Sequence, residues 1–313
     1  MLASGLSTLF HLLARSKTLK KAASRYGASS ASSIARRFIA GETIADAIDV
    51  ARALEARGLR QTLDHLGEGA ATLETAELAV REYLVIVDTI IKAGIERNLS
   101  LKLTQLGLDA DRATTVDHLR KILEHADDFF IRIDMESSAY TDVTLDIFET
   151  LWGQGCRNIG VVLQAELFRT EKDLRRIVDL GARIRLVKGA YDEPGSIAYR
   201  KQDDVEAAFE RYMKTLLIEG NYPAIATHDP MLIDSTRTFA AQHGIGNDRF
   251  EFQLLYGIRR DLAQKLVDDG YRVRLYVPFG REWYPYFMRR LAERPENVAF
   301  VLRGILGEKR NEL

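Results

Sequence analysis

The sequence has little cysteine, no long apolar run and almost no net charge. Its single cysteine, Cys156, can form neither an internal disulfide framework nor a cysteine metal centre. No run of eighteen apolar residues occurs, so the sequence predicts no membrane-spanning helix. The formal charge of -1 over 313 residues argues against a general nucleic-acid-binding protein. We therefore expect a cytoplasmic protein with a large core and no nucleic-acid partner.

Motifs that identify several enzyme classes are also missing. The six histidines include no HExxH motif, and we expect no metal site. Neither GxSxG nor GxxxxGK(S/T) occurs, which removes serine hydrolases and P-loop enzymes from consideration. The sequence also lacks GxGxxG, so a Rossmann nicotinamide site is not indicated.

The first 41 residues contain no acidic residue but seven lysines and arginines. Leu2, Leu6, Leu9 and Leu13 recur there at helical spacing. Three interpretations remain open: a helix packed on the main domain, a basic amphipathic segment in peripheral contact with the inner face of a membrane, or an organelle transit peptide. We predict an N-terminal helical extension over residues 1–58 and one main domain over residues 59–313 that ends in a short helix.

From residue 59 onwards, strand and helix patterns alternate eight times. The predicted strands are 59–66, 99–104, 129–133, 159–163, 184–187, 224–226, 250–254 and 273–277. The predicted helices are 72–93, 111–126, 141–152, 171–180, 202–219, 231–242, 259–268 and 283–294. A further helix, residues 43–57 capped by Thr43, precedes them. This size and rhythm predict the α/β class and a (β/α)8 TIM-type barrel.

Polar side chains lie at the ends of the predicted strands, where barrel enzymes carry their chemistry. They are Asp64, Lys102, Asp134, Gln164, Arg185, His228, Gln253 and Tyr276. Arg289 and Arg290 follow the last strand, one helical turn past Tyr286, and paired guanidiniums suit a carboxylate or phosphate.

Each of these features also has a structural interpretation. The arginines could form a solvated patch, Lys102 could pair with Asp134, and His228 could cap a helix. The segment 188–190 could be an ordinary turn, and the tyrosines could be rim packing. Taken together, the set favours a small anionic substrate held by Arg289, Arg290 and Lys102. A phosphate-bearing cofactor would then lie on the backbone amides around residues 188–190.

Six segments carry a resemblance to a known family. They are LKLTQLGLD (101–109), IRIDMES (131–137), LRRIVDLGARIRLVKGAY (174–191), ATHDP (226–230), FEFQLLYGI (250–258) and RLYVPFGREWYPYFMRRLAERPEN (274–297). From about residue 43 to about residue 297 the sequence closely resembles proline dehydrogenase, and its length is similar to that of the short monofunctional bacterial form.

The resemblance implies a barrel that holds FAD non-covalently and oxidises L-proline to Δ1-pyrroline-5-carboxylate, the first step of proline catabolism to glutamate. It implies that electrons pass to a membrane quinone and that pyrroline-5-carboxylate dehydrogenase is the downstream partner.

The resemblance also implies roles for individual residues. Lys102, Arg289 and Arg290 would bind the substrate carboxylate. Asp134 would orient Arg289, and Glu68 would close the site on Arg290. The residues implied to enclose the pyrrolidine ring are Tyr191, Leu255, Tyr276 and Tyr286. The residues implied to contact FAD are Met135, Gln164, Arg185, Val187, Lys188, Gly189, Ala190, Thr227 and His228.

Two positions bear on the comparison with relatives. Asp192 stands where the bifunctional branch carries an aromatic residue, which implies looser cofactor packing there. Tyr286 stands where hydroxyproline-oxidising relatives carry a smaller residue, so it favours proline.

We assign the catalytic roles to Asp134 and Arg185, and we attribute catalysis mainly to positioning and electrostatics. No dedicated base is evident, because an Asp134 paired with arginine would hold a proton poorly. Two other hypotheses stay open: a Schiff-base lyase that uses Lys102 or Lys188, and a membrane-surface scaffold that uses the basic N-terminal segment.

Overall fold

The computed structural model describes residues 35–67 and 69–293, with side chains up to Arg290. Eight strands lie in this part of the chain: β1 (Arg60–His65), β2 (Asn98–Leu101), β3 (Phe130–Ile133), β4 (Ile159–Gln164), β5 (Arg183–Val187), β6 (Ala224–Ala226), β7 (Glu251–Leu255) and β8 (Val273–Phe279). Its α-helices are α1 (Ile44–Glu55), α2 (Leu73–Ala93), α3 (Arg112–Ala126), α4 (Thr141–Gly153), α5 (Thr170–Asp179), α6 (Gln202–Glu219), α7 (Pro230–Gln242), α8 (Arg260–Asp268) and α9 (Trp283–Glu293).

The strands form one closed barrel in the order β1 to β8, and every neighbouring pair is parallel. The ring closes where β8 pairs with β1, from Arg60 opposite Arg274 to His65 opposite Phe279. A helix follows each strand, and α1 precedes β1. The predicted (β/α)8 TIM-type barrel is therefore confirmed.

Helix starts follow the predicted capping chemistry. The Thr43 hydroxyl accepts from the Asp46 N–H, and the Asp46 carboxylate accepts from the Thr43 N–H at 3.0 Å, which is a capping box. Asp111 caps α3 through the Thr114 N–H. These contacts satisfy backbone donors that would otherwise lack a partner inside the helix.

Two predicted strand ends are wrong by two or more residues, and the others agree to within one residue. β2 stops at Leu101, and a 3-10 helix spans Leu103–Leu106. The turn is favoured because the Thr104 hydroxyl donates to Glu136 at 2.9 Å and Gly107 supplies the left-handed φ of 100° that ends it. β8 runs past Pro278 to Phe279, since the Pro278 carbonyl accepts from the Ala40 N–H at 2.8 Å.

The apolar core lies between the strands and the surrounding helices, with Leu63, Ile131 and Ile133 fully buried in it. The alternate strand positions are polar, and most of them hydrogen-bond to one another, whereas Arg132 donates to the Val161 and Arg183 carbonyls. These polar positions are Thr62, Ser100, Arg132, Arg185, Glu251, Gln253 and Arg274, and each is at most 5% exposed. A charged interior of this kind has to be internally paired, because an isolated buried charge is costly.

The described part of the predicted N-terminal extension packs against the barrel. Ala35 and Ile39 form a buried cluster with Leu66, Trp283 and Tyr286. Residues 1–34, including the leucine repeat and most of the basic residues, lie outside the described residues, so the domain division at residue 58 stays a prediction. Among the helices that the structure describes, none has both the length and the hydrophobicity needed to cross a bilayer.

Candidate active site

Asp134 is the centre of a charged cluster at the C-terminal ends of the strands. It follows β3 directly, and only 9% of it is exposed. Arg185 of β5 donates from Nη1 to Asp134 Oδ1 at 2.7 Å, and the Tyr276 hydroxyl of β8 donates to Oδ2 at 2.7 Å. Burial and the carboxylate of Asp134 hold the pKa of Tyr276 well above its ordinary value, so Tyr276 remains a donor.

Lys102 lies between two carboxylates. Its Nζ donates to Asp64 Oδ1 at 3.0 Å and is 3.7 Å from Asp134 Oδ2. Burial lowers the pKa of Lys102, but the attraction of Asp64 and Asp134 outweighs burial and raises it above the ordinary value. Lys102 is therefore a fixed cation at this end of the barrel.

The guanidinium of Arg185 is fully engaged. Besides Asp134, it donates from Nε to Gln253 Oε1 at 2.6 Å and from Nη2 to Ser100 Oγ at 3.1 Å. Its central carbon lies 5.4 Å from the Tyr276 ring centroid, close enough for a cation–π contact. Four strands thus hold Arg185 in one orientation.

Asp134 does not make the contact with Arg289 that the resemblance implies. No ion pair joins the two among the described residues, and Asp134 is taken up by Arg185, Lys102 and Tyr276 instead. Arg289 is half-buried, and no described carboxylate lies within 4.0 Å of its guanidinium. Burial and the nearby Glu136 raise the pKa of Tyr191, and the positive charges of Lys102 and Arg289 partly offset this rise. The charge of Arg289 therefore acts on Tyr191.

The remaining substrate-side residues pack around α9. Arg290 is 8% exposed, and its guanidinium carbon lies 5.0 Å from the Tyr286 ring centroid. Tyr286 packs against Leu66 and Tyr276 in a buried cluster. Leu255 ends β7 half-buried. Glu68 lies outside the described residues, so its pairing with Arg290 stays a prediction.

Several residues implied to contact the cofactor use their side chains within the protein. Lys188 Nζ donates to Glu206 and Asp229, both at 2.8 Å. Gln164 Nε2 donates to the Glu136 carbonyl at 2.9 Å. The other members are Met135 and Thr227, which are buried, Val187 and His228, which are half-buried, and Ala190, which is exposed. His228 Nε2 accepts the Leu255 N–H at 2.9 Å. The N-cap of α7 is Asp229, whose side chain accepts from the Met231 N–H.

Gly189 lets the turn after β5 pass close to Glu166. Its φ is 134°, and a Cβ there would lie 1.9 Å from Glu166 Cδ, so only glycine fits. Burial raises the pKa of Glu166 to about 7, which reduces the negative charge beside the turn. A phosphate-bearing cofactor on the amides of this turn stays a prediction.

Sequence reasoning missed Ser100 and Glu166, and it placed Asp64 and Gln253 at strand ends without assigning them a role. Asp64 is the main partner of Lys102. Ser100 and Gln253 fix Arg185, and Glu166 supports the turn at Gly189. Strand alternation could have placed Ser100 and Gln253 inside the barrel. Ser100 lies two residues before Lys102 and Gln253 lies two residues before Leu255, and residues two apart in a strand point to the same side of the sheet.

A (β/α)8 barrel that carries a buried Asp–Arg–Tyr cluster and a paired lysine at the C-terminal ends of its strands is typical of an enzyme. Comparison with known proteins specifies the family. The profile described as proline dehydrogenase matches residues 47–303. The chain is 42% identical to proline dehydrogenase 1 of Bacillus subtilis over 300 residues, which cover 95% of this chain and 98% of that one. It is 43% identical to the proline dehydrogenase of Deinococcus radiodurans over 279 residues, with 87% and 90% coverage. The chain belongs to the proline dehydrogenase family.

The fold has a solved counterpart. Proline utilization A (PutA) from Bdellovibrio bacteriovorus, in a structure inactivated by N-propargylglycine, superposes with a TM-score of 0.77 at 25% identity. The match covers 83% of this chain but only 32% of that one, so the chain spans about a third of the bifunctional-sized relative. The full-length matches are to the monofunctional bacterial enzymes, as the sequence predicted.

Proposed function

We propose that this proline dehydrogenase oxidises L-proline to Δ1-pyrroline-5-carboxylate with FAD as the cofactor and passes the electrons to a membrane quinone. The observation that carries the proposal is the charged cluster at the barrel mouth, where Asp134 is held by Arg185 and Tyr276 and Lys102 lies 3.7 Å from it. The half-buried Arg289 acts on the same region, because its charge partly offsets the rise that burial causes in the pKa of Tyr191. Membership of the family supports the substrate.

The substrate carboxylate is bound by cations in this proposal. Lys102 is charged and fixed by Asp64, and Arg289 has donors that no described carboxylate uses. Arg290, buried against Tyr286, completes the set on α9. A guanidinium stays charged at any relevant pH and can bind a carboxylate through two parallel hydrogen bonds.

Apolar and aromatic surfaces enclose the rest of the substrate. In this proposal, the residues that would enclose the pyrrolidine ring are Tyr191, Leu255, Tyr276 and Tyr286. The hydroxyl of Tyr276 is committed to Asp134, so its ring is the surface left for the substrate. Tyr286 would favour proline in this proposal, because relatives that oxidise hydroxyproline carry a smaller residue at this position.

The turn after β5 would hold the cofactor. Its members are Val187, Lys188, Gly189 and Ala190, and Met135, Gln164, Thr227 and His228 surround them. A bound flavin would supply the hydride acceptor. Arg185 contributes a fixed positive charge, which would stabilise negative charge that develops on the cofactor. Asp134 is bonded to Arg185 and Tyr276 and so acts as an orienting anion and not as a base. The amine proton is then lost to water before oxidation.

The cellular setting follows from the same chemistry. A membrane quinone requires the protein to approach the membrane, and we propose peripheral contact with its inner face from the cytoplasm. The product is an imine in equilibrium with an aldehyde, so pyrroline-5-carboxylate dehydrogenase is the proposed downstream partner.

The visible spectrum of the purified protein tests the proposal. We expect flavin absorbance that bleaches when L-proline is added without oxygen and stays when D-proline is added. The product should be trapped by o-aminobenzaldehyde. A flavin-free protein, or flavin that L-proline leaves oxidised, would overturn the proposal. A borohydride-trapped substrate adduct would instead support the Schiff-base lyase, although both candidate lysines are paired with carboxylates.

A further inference from the structure

A buried polar relay runs from the centre of the barrel to Arg185. Glu251 is 2% exposed and Gln253 is 5% exposed, and both lie on β7. Gln253 donates from Nε2 to Glu251 Oε1 at 2.5 Å and accepts from Arg185 Nε on its Oε1 at 2.6 Å. Arg274 in turn donates from Nε to Glu251 Oε1 at 2.8 Å.

The two neighbours of Gln253 permit only one orientation of its amide. The Glu251 carboxylate can only accept hydrogen bonds, and the Arg185 guanidinium can only donate them. A flipped amide would place its oxygen against the carboxylate and its NH2 group against the guanidinium, so both bonds would become repulsive. Arg274 lowers the pKa of Glu251 to about 2 although burial opposes this, so the carboxylate stays ionised.

We infer that Gln253, oriented by Glu251, is a positioning residue that fixes the Arg185 guanidinium against Asp134. Its effect on catalysis rests on the proposed function. Without the Nε contact, Arg185 keeps Asp134 and Ser100 but gains freedom to rotate about its last bonds. Its charge would then be held less firmly at the barrel mouth, and electrostatic stabilisation depends on such preorganisation.

The first test replaces Gln253 by Met, which keeps the length but removes both hydrogen bonds. We expect flavin reduction by proline to slow about tenfold or more, with the proline KM changed less than threefold because Lys102 and Arg289 remain. The flavin reduction equilibrium should shift about tenfold towards the oxidised form, which is about 30 mV for a two-electron couple.

The matched control is Gln61→Met. Gln61 is fully buried and donates to Glu55 and the Glu96 carbonyl, with no hydrogen bond to Arg185. This variant shows how far the loss of a buried side-chain amide elsewhere in the barrel changes the rate of flavin reduction and the flavin potential. The inference is overturned if both variants change the flavin potential equally, or if Gln253→Met changes neither rate nor potential by more than twofold.

Gln253→Glu gives a second test with its own signature. A protonated carboxyl can donate to Glu251 and accept from Arg185, as the amide does, whereas an ionised one can only accept. The charged groups around this position are Glu251, Arg185, Arg274 and Arg132. Relative to the parent protein, we expect near-normal reduction at acid pH and a progressive loss as the introduced carboxyl ionises. If the rate of flavin reduction in the variant, divided by that in the parent protein, does not vary with pH, the hydrogen-bonded arrangement of Glu251, Gln253 and Arg185 is contradicted.

A third measurement is independent of activity. The Arg185 Nε–H proton should give a shifted, slowly exchanging NMR signal, identified by its loss in Arg185→Lys. We expect Gln253→Met to return it to the position of a water-exposed arginine. If the signal is unchanged, the positioning inference fails even where proline is oxidised. If the signal moves in a protein that neither holds flavin nor oxidises proline, the proposed function fails and the positioning inference stands.

Discussion

Replacing Asp64 by Asn tests whether that buried carboxylate keeps Lys102 charged. The Asp64 side chain is 1% exposed, and its Oδ1 is 3.0 Å from Lys102 Nζ. At an effective dielectric constant of about 20, two unit charges at that distance attract by about 5 kcal/mol. Breaking one partner of a buried pair costs about 3–5 kcal/mol, and we expect about 3 kcal/mol here because Asp134 remains at 3.7 Å.

The variant should change both stability and substrate binding. Without Asp64, Lys102 loses one of the two carboxylates whose attraction offsets the effect of burial, so the pKa of Lys102 should fall from its raised value. A group with a raised folded-state pKa stabilises the fold at low pH and loses that effect as pH rises through the folded pKa. We therefore expect a lower unfolding free energy in urea, and a proline KM that rises at alkaline pH earlier than in the parent protein.

An exposed ion pair supplies the control for this experiment. Asp128 pairs with Arg97 at the surface, with 58% of its side chain exposed, and solvent screens such a pair so that it contributes little to stability. Asp128→Asn should therefore leave stability and KM nearly unchanged. The reasoning would be refuted by an Asp64→Asn protein whose unfolding free energy matches that of the control and whose KM follows the parental pH profile.

Three further predictions concern the proposed binding groups. Arg289→Met should raise the proline KM about 10- to 150-fold, the equivalent of about 1.5–3 kcal/mol. The control is the exposed Arg281, whose replacement by Met should change the proline KM less than twofold. Equal effects of the two substitutions would contradict a contact between Arg289 and the substrate carboxylate. Gly189→Ala should destabilise the turn by about 1–3 kcal/mol and lower the amount of flavin that the purified protein retains. If the clash with Glu166 is the cause, the double variant with Glu166→Ala should regain part of the stability and part of the flavin. Because the pKa of Glu166 is about 7, the folded state keeps a proton that the unfolded state releases above about pH 4.5. The free energy of unfolding should therefore fall by about 1–2 kcal/mol between about pH 4.5 and about pH 7, after allowance for partial exposure of Glu166. Urea titrations of Glu166→Gln should lack this decline.

The sequence predicted the barrel well because each element carries its own local signal. The 202–219 helix and the 224–226 strand have the predicted ends, and Thr43 caps α1 as expected. The strand end at Thr104 failed because LKLTQL alternates like a strand, while the contact that turns it comes from Glu136, about thirty residues away. A long-range hydrogen bond leaves no periodicity in the chain.

The site residues could be placed at the barrel mouth but not paired with one another. Strand ends located Lys102, Asp134, Arg185 and Tyr276 correctly as neighbours. The implied partner of Asp134 was Arg289, and the structure gives it Arg185. Pairing depends on barrel stagger, which decides which strands face each other at a given height. The family roles of Arg289, Arg290 and the flavin contacts remain proposals that the experiments above address.

The last strand completes the electrostatics of the barrel interior. Arg274 on β8 donates to Glu251 on β7 and, from Nη1, to the Gln61 carbonyl on β1 at 2.7 Å. A chain released from the ribosome up to β7 would bury Glu251 without its counter-ion, at a cost of several kcal/mol. We therefore expect that a stable barrel forms only once β8 has been inserted between its neighbours, and that truncation before residue 273 yields protein that chaperones retain or proteases remove.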